Sequence, residues 1–142
     1  KGQLNGLHIY QSLDSTNKAA NQLVEAQADT ASGAVILSEY QTMGRGRRGK
    51  NWVSPFAANL YLSMVWDFDQ GASALQGLSL AIGVAVSRAL KQLQVEGVQL
   101  KWPNDIYINT SYYIFFMNIH WPRKSSAMHN YFRFSFFYYL FN

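Results

Sequence analysis

The sequence predicts an α+β fold, a mixed β-sheet with helices. Two kinds of pattern carry that expectation. Short β-rich runs with apolar residues at alternate positions (LHIYQSL, GAVILSEY, NLYLSMVWDF) have the period of strands, while two longer stretches place apolar residues at helical spacing. They follow one another as strand, helix, strand, strand, helix, strand. With 142 residues, 49% of them hydrophobic, the chain is one domain or part of one and can bury a core.

Leu7 to Leu13 alternates as a strand. Asp14, Ser15, Thr16 and Asn17 then offer four helix N-cap candidates in a row, and a helix follows to about Ala28, with Ala19, Ala20, Leu23 and Val24 at helical spacing. A strand feeding a helix start collects hydroxyls, an amide and free N–H groups at one point. Such a point either holds a polar or anionic group or is a plain cap. Gly33 to Tyr40 is the next strand. Asn59 to Phe68 alternates cleanly, and the expected core face is Leu60, Leu62, Met64, Trp66 and Phe68, with Tyr61, Ser63, Val65 and Asp67 opposite.

From Ala72 to Leu93 the period is helical, with Leu75, Leu78, Ile82, Val86, Ala89 and Leu93 as the apolar stripe. Gly77 and Gly83 fall inside that helix, each costing about 1 kcal/mol relative to Ala; close packing against a sheet accounts for them. Gly97 turns the chain into a short strand, Val98 to Trp102. Pro103 breaks the β region, and Asn104 and Asp105 are expected in a turn beside Lys101. Carboxylate, amide and ammonium together suit a nucleotide, a metal-bound phosphate or a carboxylate; a proline turn with an Asx hydrogen bond is the plainer alternative.

The most unusual stretch is Gln41 to Pro55, QTMGRGRRGKNWVSP, in which Gly44, Gly46 and Gly49 alternate with Arg45, Arg47, Arg48 and Lys50. Glycine permits close backbone approach to a ligand, and arginine supplies charged planar forks that match carboxylate and phosphate oxygens. A small polyanion fits both properties. An RG-rich loop touching nucleic acid, or a solvated turn, has the same composition.

Composition narrows these options. There is no cysteine, which excludes disulfides, thiol nucleophiles and Cys-based zinc sites and fits a reducing compartment. No metal-ligand set and no apolar run suited to a membrane span are seen. The chain opens without Met or a signal-peptide pattern and reads as a fragment lacking its upstream part. The net charge of +4 is not spread as a basic face: residues 1–108 hold nine Lys/Arg and eight Asp/Glu, and residues 109–142 hold three cations and no acid. That argues against a nucleic-acid-binding module.

Taken together, DSTN, QTMGRGRRGKNWVSP, NLYLS, a long helix and KWPNDIYI, in that order, resemble the catalytic domain of biotin protein ligases (biotin–[acetyl-CoA carboxylase] ligases), over roughly residues 7–108. Lipoate ligases share the general fold but differ in these motifs. The resemblance implies a class II aminoacyl-tRNA synthetase-like domain, here its N-terminal part. It implies that biotin and Mg2+-bound ATP form biotinyl-5′-AMP, and that the biotinyl group passes to a lysine of a biotin carboxyl carrier protein of acetyl-CoA carboxylase in the cytoplasm. It also allows a homodimer. Family members often carry a DNA-binding domain, and none is recognisable in this chain.

The residue roles that follow are likewise implied by the resemblance. Ser15, Thr16, Asn17, Gln41, Gly44, Arg45, Gly46 and Arg47 line the biotin site. Arg45, Arg47, Arg48 and Lys101 offset charge where a carboxylate meets the α-phosphate. Arg48, Trp52, Asn104 and Asp105 face the nucleotide, Trp52 by packing on adenine or closing the loop.

The sequence also departs from the family. Tyr112 and about Phe115 stand where a lysine and a glycine are expected, and a later GxGxN-type stretch is absent. Ala57 occupies a position commonly held by glycine, and is strained if that site needs positive φ. Residues 109–142 hold 13 of the 22 aromatic residues and none of the ten glycines. They show no period of 2 or 3.6, and read as an aberrant tail, the product of a frameshift or truncation. The expectation is impaired ligation, an aggregation-prone chain with an unpaired sheet edge, and, as the alternative, a non-catalytic remnant with weak or no biotin or nucleotide binding.

Overall fold

A computed structural model describes residues 4–27, 30–44, 54–57, 59–67, 77–101 and 105–109, together with the backbone of residues 131–137. The ordered elements are β1 (Gly6–Tyr10), α1 (Thr16–Ala26), β2 (Ala34–Ser38), β3 (Tyr61–Asp67), α2 (Leu78–Gln92), β4 (Val98–Lys101), β5 (Asp105–Ile108) and β6 (Tyr131–Phe137). The mixed α+β architecture is the one the sequence predicts.

β1 and β2 run parallel, Gly6 opposite Ala34 through Tyr10 opposite Ser38, so the chain must cross over between them; α1 is that crossover. β3 returns antiparallel to β2, with Ile36 opposite Ser63. The four-stranded order is β1-β2-β3-β6. α1 lies on one face of this sheet, and a small core forms there from Ala20, Ala31, Ile36 and Val65, with Leu13, Ala19, Leu23 and Val24 packed around it.

The buried face of β3 is the opposite of the one its apolarity suggests. Tyr61, Ser63 and Val65 are all 0% exposed, whereas Leu62, Met64 and Trp66 are half-buried and Leu60 is 52% exposed. The polar members of the buried set are satisfied by hydrogen bonds. Asn59 Nδ2 donates to Tyr61 Oη (2.8 Å), Tyr61 Oη donates to the Pro55 carbonyl (3.2 Å), and Ser63 bonds to α1. Hydrogen bonding removes most of the cost of burying them.

β6 corrects a second expectation. It pairs antiparallel with β3 over seven positions, from Tyr61 opposite Phe137 to Asp67 opposite Tyr131. β3 is therefore an inner strand, and a segment expected to be an aberrant tail supplies its neighbour. A period of two does exist in this part of the chain, where Phe132, Phe134 and Phe136 alternate with Arg133 and Ser135.

α2 and the β4–β5 hairpin form the other group. Gly77 is not inside the helix but caps its start, with φ +79, a conformation that suits glycine. Gly83 is inside, and a Cβ there would lie 3.5 Å from Leu100 Cδ2, so the close packing expected of it is against β4. Leu93, assigned to the apolar stripe, is 74% exposed just past the helix end, and Ala89 is exposed too. β4 pairs with β5 from Val98 opposite Ile108 to Lys101 opposite Asp105. Among the described residues, no element contact joins α2, β4 or β5 to the four-stranded sheet or α1.

Candidate functional site

Two segments singled out in the sequence, Asp14–Asn17 and Gln41–Gly44, are laced together. Beyond the paired stretch of β1 and β2 the strands continue as a single parallel bridge between Leu13 and Gln41. Leu13 N donates to the Tyr40 carbonyl (3.2 Å), Thr42 N to the Leu13 carbonyl (2.9 Å) and Met43 N to the Asp14 carbonyl (2.8 Å). A short Ser38 turn ends β2 just before this, its hydroxyl donating to the Tyr40 carbonyl (2.7 Å). The start of α1 and the start of the Gly/Arg stretch thus lie side by side.

At that junction the side chains form one buried polar chain. Ser15 is the N-cap residue by backbone conformation, but its side chain makes no cap hydrogen bond. Gln41 caps instead: its Oε1 accepts the Thr16 N–H (2.8 Å) and the Thr16 hydroxyl (3.2 Å). A backbone N–H can only donate, so this contact fixes Gln41 with its oxygen toward the helix and its Nε2 away. Nε2 donates to Ser54 Oγ (3.3 Å). The Thr16 hydroxyl, its proton committed to Gln41, accepts from Ser63 Oγ (2.8 Å); Asn17 Oδ1 lies 3.2 Å from the same Ser63 hydroxyl and shares its proton. Thr16, Ser63, Gln41 and Ser54 are between 0% and 4% exposed. The set is neutral, directional and buried, which suits an uncharged polar ligand group.

Asp14 and Lys18 sit outside it as an exposed i, i+4 ion pair. The hydrogen bond and charge of Lys18, helped by Thr42, hold the Asp14 carboxyl below the usual value. Ser15 lines a cleft of about 260 Å³ with Leu13, Asp14, Lys18, Ala19 and Gln22, on the solvent side of the helix start.

Of the expected biotin-site residues, Ser15, Thr16, Asn17, Gln41 and Gly44 are brought together. Arg45, Gly46, Arg47, Arg48, Trp52 and Asn104 lie outside the described residues, as do Tyr112 and Phe115. Lys101 and Asp105 are on the hairpin, directly opposite each other in register. Asp105 opens β5 and so is in a strand, not in a turn. Lys101 Nζ donates to Tyr107 Oη (3.1 Å) and lies 5.3 Å from that ring's centre. Ser54 and Ser63 were not singled out as site residues; Ser63 is hidden by its position on the less apolar face of β3. Among the described residues there is no group of three or more His, Cys, Asp or Glu able to hold a metal, and no helix long and apolar enough to cross a membrane.

The family model for the biotin/lipoate A/B protein ligases matches residues 9–111. The chain belongs to that family. It is 46% identical over 109 residues to the bifunctional ligase/repressor BirA of Escherichia coli (strain K12), an alignment covering 75% of this chain and 33% of that protein. It is 35% identical over 106 residues to the biotin–[acetyl-CoA-carboxylase] ligase of Mycobacterium tuberculosis (68% of this chain, 40% of that protein). The chain thus spans about a third of the length of the first of these relatives and two fifths of the second. Among solved structures, the biotin protein ligase of Aquifex aeolicus in complex with biotin and ATP superposes with a TM-score of 0.68 at 26% identity, over 94% of this chain and 51% of that one. The biotin/lipoate ligase family placed from the motifs is therefore the right one, and the matched region contains both the Ser15–Asn17 and Gln41–Gly44 segments.

Proposed function

We propose that this chain carries the biotin- and nucleotide-binding part of a biotin protein ligase. Biotin and ATP, with Mg2+ accompanying the nucleotide, form biotinyl-5′-AMP, and the biotinyl group then passes to a lysine of a carboxyl carrier protein in the cytoplasm. The observation that carries this reading is the buried neutral cradle of Thr16, Gln41, Ser63 and Ser54 at the root of a four-cation Gly/Arg stretch. A bicyclic urea is uncharged and needs hydrogen-bond partners without net charge. The reacting end of the same molecule is a carboxylate that must approach an α-phosphate, and Arg45, Arg47 and Arg48 are the chain's means of offsetting that repulsion. Lys101, Asn104 and Asp105 complete the nucleotide side.

The rate is set lower than in the relatives by Tyr112. It supplies one neutral hydrogen bond where the family pattern has an ammonium. Losing a charged donor at developing negative charge costs about 3–4 kcal/mol, or roughly 10²–10³ in rate. The test is biotin-dependent ATP–pyrophosphate exchange, with transfer of labelled biotin to a carrier domain. Exchange that requires biotin, runs 10²–10³ below an intact ligase and is abolished by Arg47→Ala is the expected result. Exchange indifferent to biotin, or a steep salt-dependent affinity for duplex DNA that Arg47→Ala removes, overturns the reading.

A further inference from the structure

We propose that Tyr107 is a positioning residue for Lys101, holding the lysine ammonium on one face of the β4–β5 hairpin so that its charge stands ready for the phosphates of a nucleotide. The inference rests on the ligase reading above, which gives Lys101 to the nucleotide side, and adds a residue that reading does not use.

The hairpin register decides which side chains share a face. Residues directly opposite one another in an antiparallel pair lie on the same side, and the sides alternate along each strand. Lys101 stands opposite Asp105 and Gln99 opposite Tyr107, so these four lie on one side. Leu100, Ile106 and Ile108 lie on the other, toward α2: a Cβ at Gly83 would meet Leu100 Cδ2, and Ile106 and Ile108 are buried. Packing against α2 thus fixes the parity of the hairpin, since a slip of one residue would exchange its two faces. Lys101 and Tyr107 are diagonal neighbours, a separation that long and aromatic side chains span. Lys101 Nζ donates to Tyr107 Oη at 3.1 Å and lies 5.3 Å from the ring centre, so it sits at the hydroxyl end of the ring.

A lysine ammonium is a point charge on a flexible four-carbon stem. Ordering that stem against a ligand costs conformational entropy, and a partner that orders it beforehand removes part of the cost. The chemistry of the partner matters. A carboxylate at position 107 would hold the ammonium by cancelling its charge, whereas a phenol restrains it as a neutral acceptor and leaves the charge for an anion. An ammonium has three donors, and the bond to Tyr107 uses one. Tyr107 is half-buried and Lys101 is exposed, so the ring is the fixed partner and the lysine the accessible one. The ligand chemistry that fits is a phosphate oxygen of the nucleotide.

The experiment measures biotin-dependent ATP–pyrophosphate exchange by the full chain at varied ATP and at varied biotin. It compares wild type, Tyr107→Phe, Lys101→Met and the double variant. Tyr107→Phe keeps the ring and removes the acceptor, so the hairpin keeps its packing. The expected result is that Tyr107→Phe raises the KM for ATP about fivefold, the worth of one modest hydrogen bond, and leaves the KM for biotin within about twofold. In the Lys101→Met background there is no ammonium to hold, and the same change alters the KM for ATP less than about twofold. Calorimetric titration of the four chains with ATP reads the same coupling as a ratio of Kd values, independently of turnover. A ring that only supported the hairpin would give equal losses in both backgrounds, and that result overturns the proposal. So does a Tyr107→Phe chain with wild-type constants for ATP, or one in which biotin is weakened as much as ATP. A folded wild-type chain that binds neither biotin nor ATP overturns the ligase reading itself, and this inference falls with it.

Discussion

Gln41 Oε1 accepts both the backbone N–H (2.8 Å) and the hydroxyl (3.2 Å) of Thr16, so one side chain from the end of a strand caps the helix 25 residues earlier. The cap is therefore tertiary, and its strength depends on β1 and β2 staying in register. It also sets the polarity of everything beyond it. With the amide oxygen turned to the helix, the nitrogen is turned to Ser54, to which it donates (3.3 Å).

Removing this cap should be expensive. Gln41→Ala leaves two buried Thr16 donors without an acceptor and takes away the Ser54 partner. A loss of about 2–3 kcal/mol is expected in chemical unfolding. Gln41→Glu keeps an acceptor at a helix N-terminus, where negative charge is favoured, and should lose less than alanine does. Equal losses for the two variants would mean that the acceptor at Thr16 is not what holds the junction together.

Much of this was legible in the sequence, and the gaps have physical causes. Each strand through β4 and the helix α1 appear where their period places them, within a few residues, because strands and helices impose different spacings on apolar side chains; α2 begins later than the expected Ala72, and β5 stands where a turn was expected. The pairing of Ser15–Asn17 with Gln41–Gly44 was suggested by motif resemblance and is delivered by the parallel β1–β2 register. What apolarity misjudged was which face of β3 goes inside. Alternation defines two faces without labelling them, and Ser63 and Tyr61 are buried because hydrogen bonds from α1 and from the Pro55 segment await them. β6 was missed because an aromatic-rich stretch hides a short alternation over residues 132–136, and because a strand's partner is a long-range property.

Ala57 tests the local backbone argument. Its φ is +54, in the left-handed region, and its N–H donates to the Glu39 carbonyl (3.0 Å), which holds it there. The left-handed conformation costs a non-glycine residue roughly 1–2 kcal/mol, and glycine loses about 0.4–1 kcal/mol through the freer unfolded chain. Ala57→Gly should raise stability by a net of about 0.5–1 kcal/mol. A lowered thermal midpoint would show that the strain is absent.

Gly97 is the reverse case. Its φ is +71, and a Cβ added there would stand 1.9 Å from Asn109 Oδ1, while Asn109 N donates to the Gly97 carbonyl (3.0 Å). Gly97→Ala should destabilise the α2–hairpin group by about 1–3 kcal/mol. Part of that should return in Gly97→Ala combined with Asn109→Gly, which clears the side chain. Hydrogen exchange at the β4–β5 amides is the local readout. Unchanged protection there would contradict the argument.

The last prediction concerns acid. Asp14 has its carboxyl held below the ordinary value of 3.8, first by the hydrogen bond from Lys18 and then by that residue's charge. A depressed folded-state value means that the pair's contribution is fully present above the unfolded value. It is lost as pH falls through the lowered one, once the carboxyl is protonated in both states. Stability should therefore fall with decreasing pH below about 4, with a component that Asp14→Asn or Lys18→Met removes. Because the pair is exposed, that component should be small and should shrink further in high salt, as screening weakens surface charges. The check is chemical unfolding across that pH range at low and high salt. If Asp14→Asn left the slope unchanged at low salt, the pair would contribute nothing to holding the start of α1 beside Thr42.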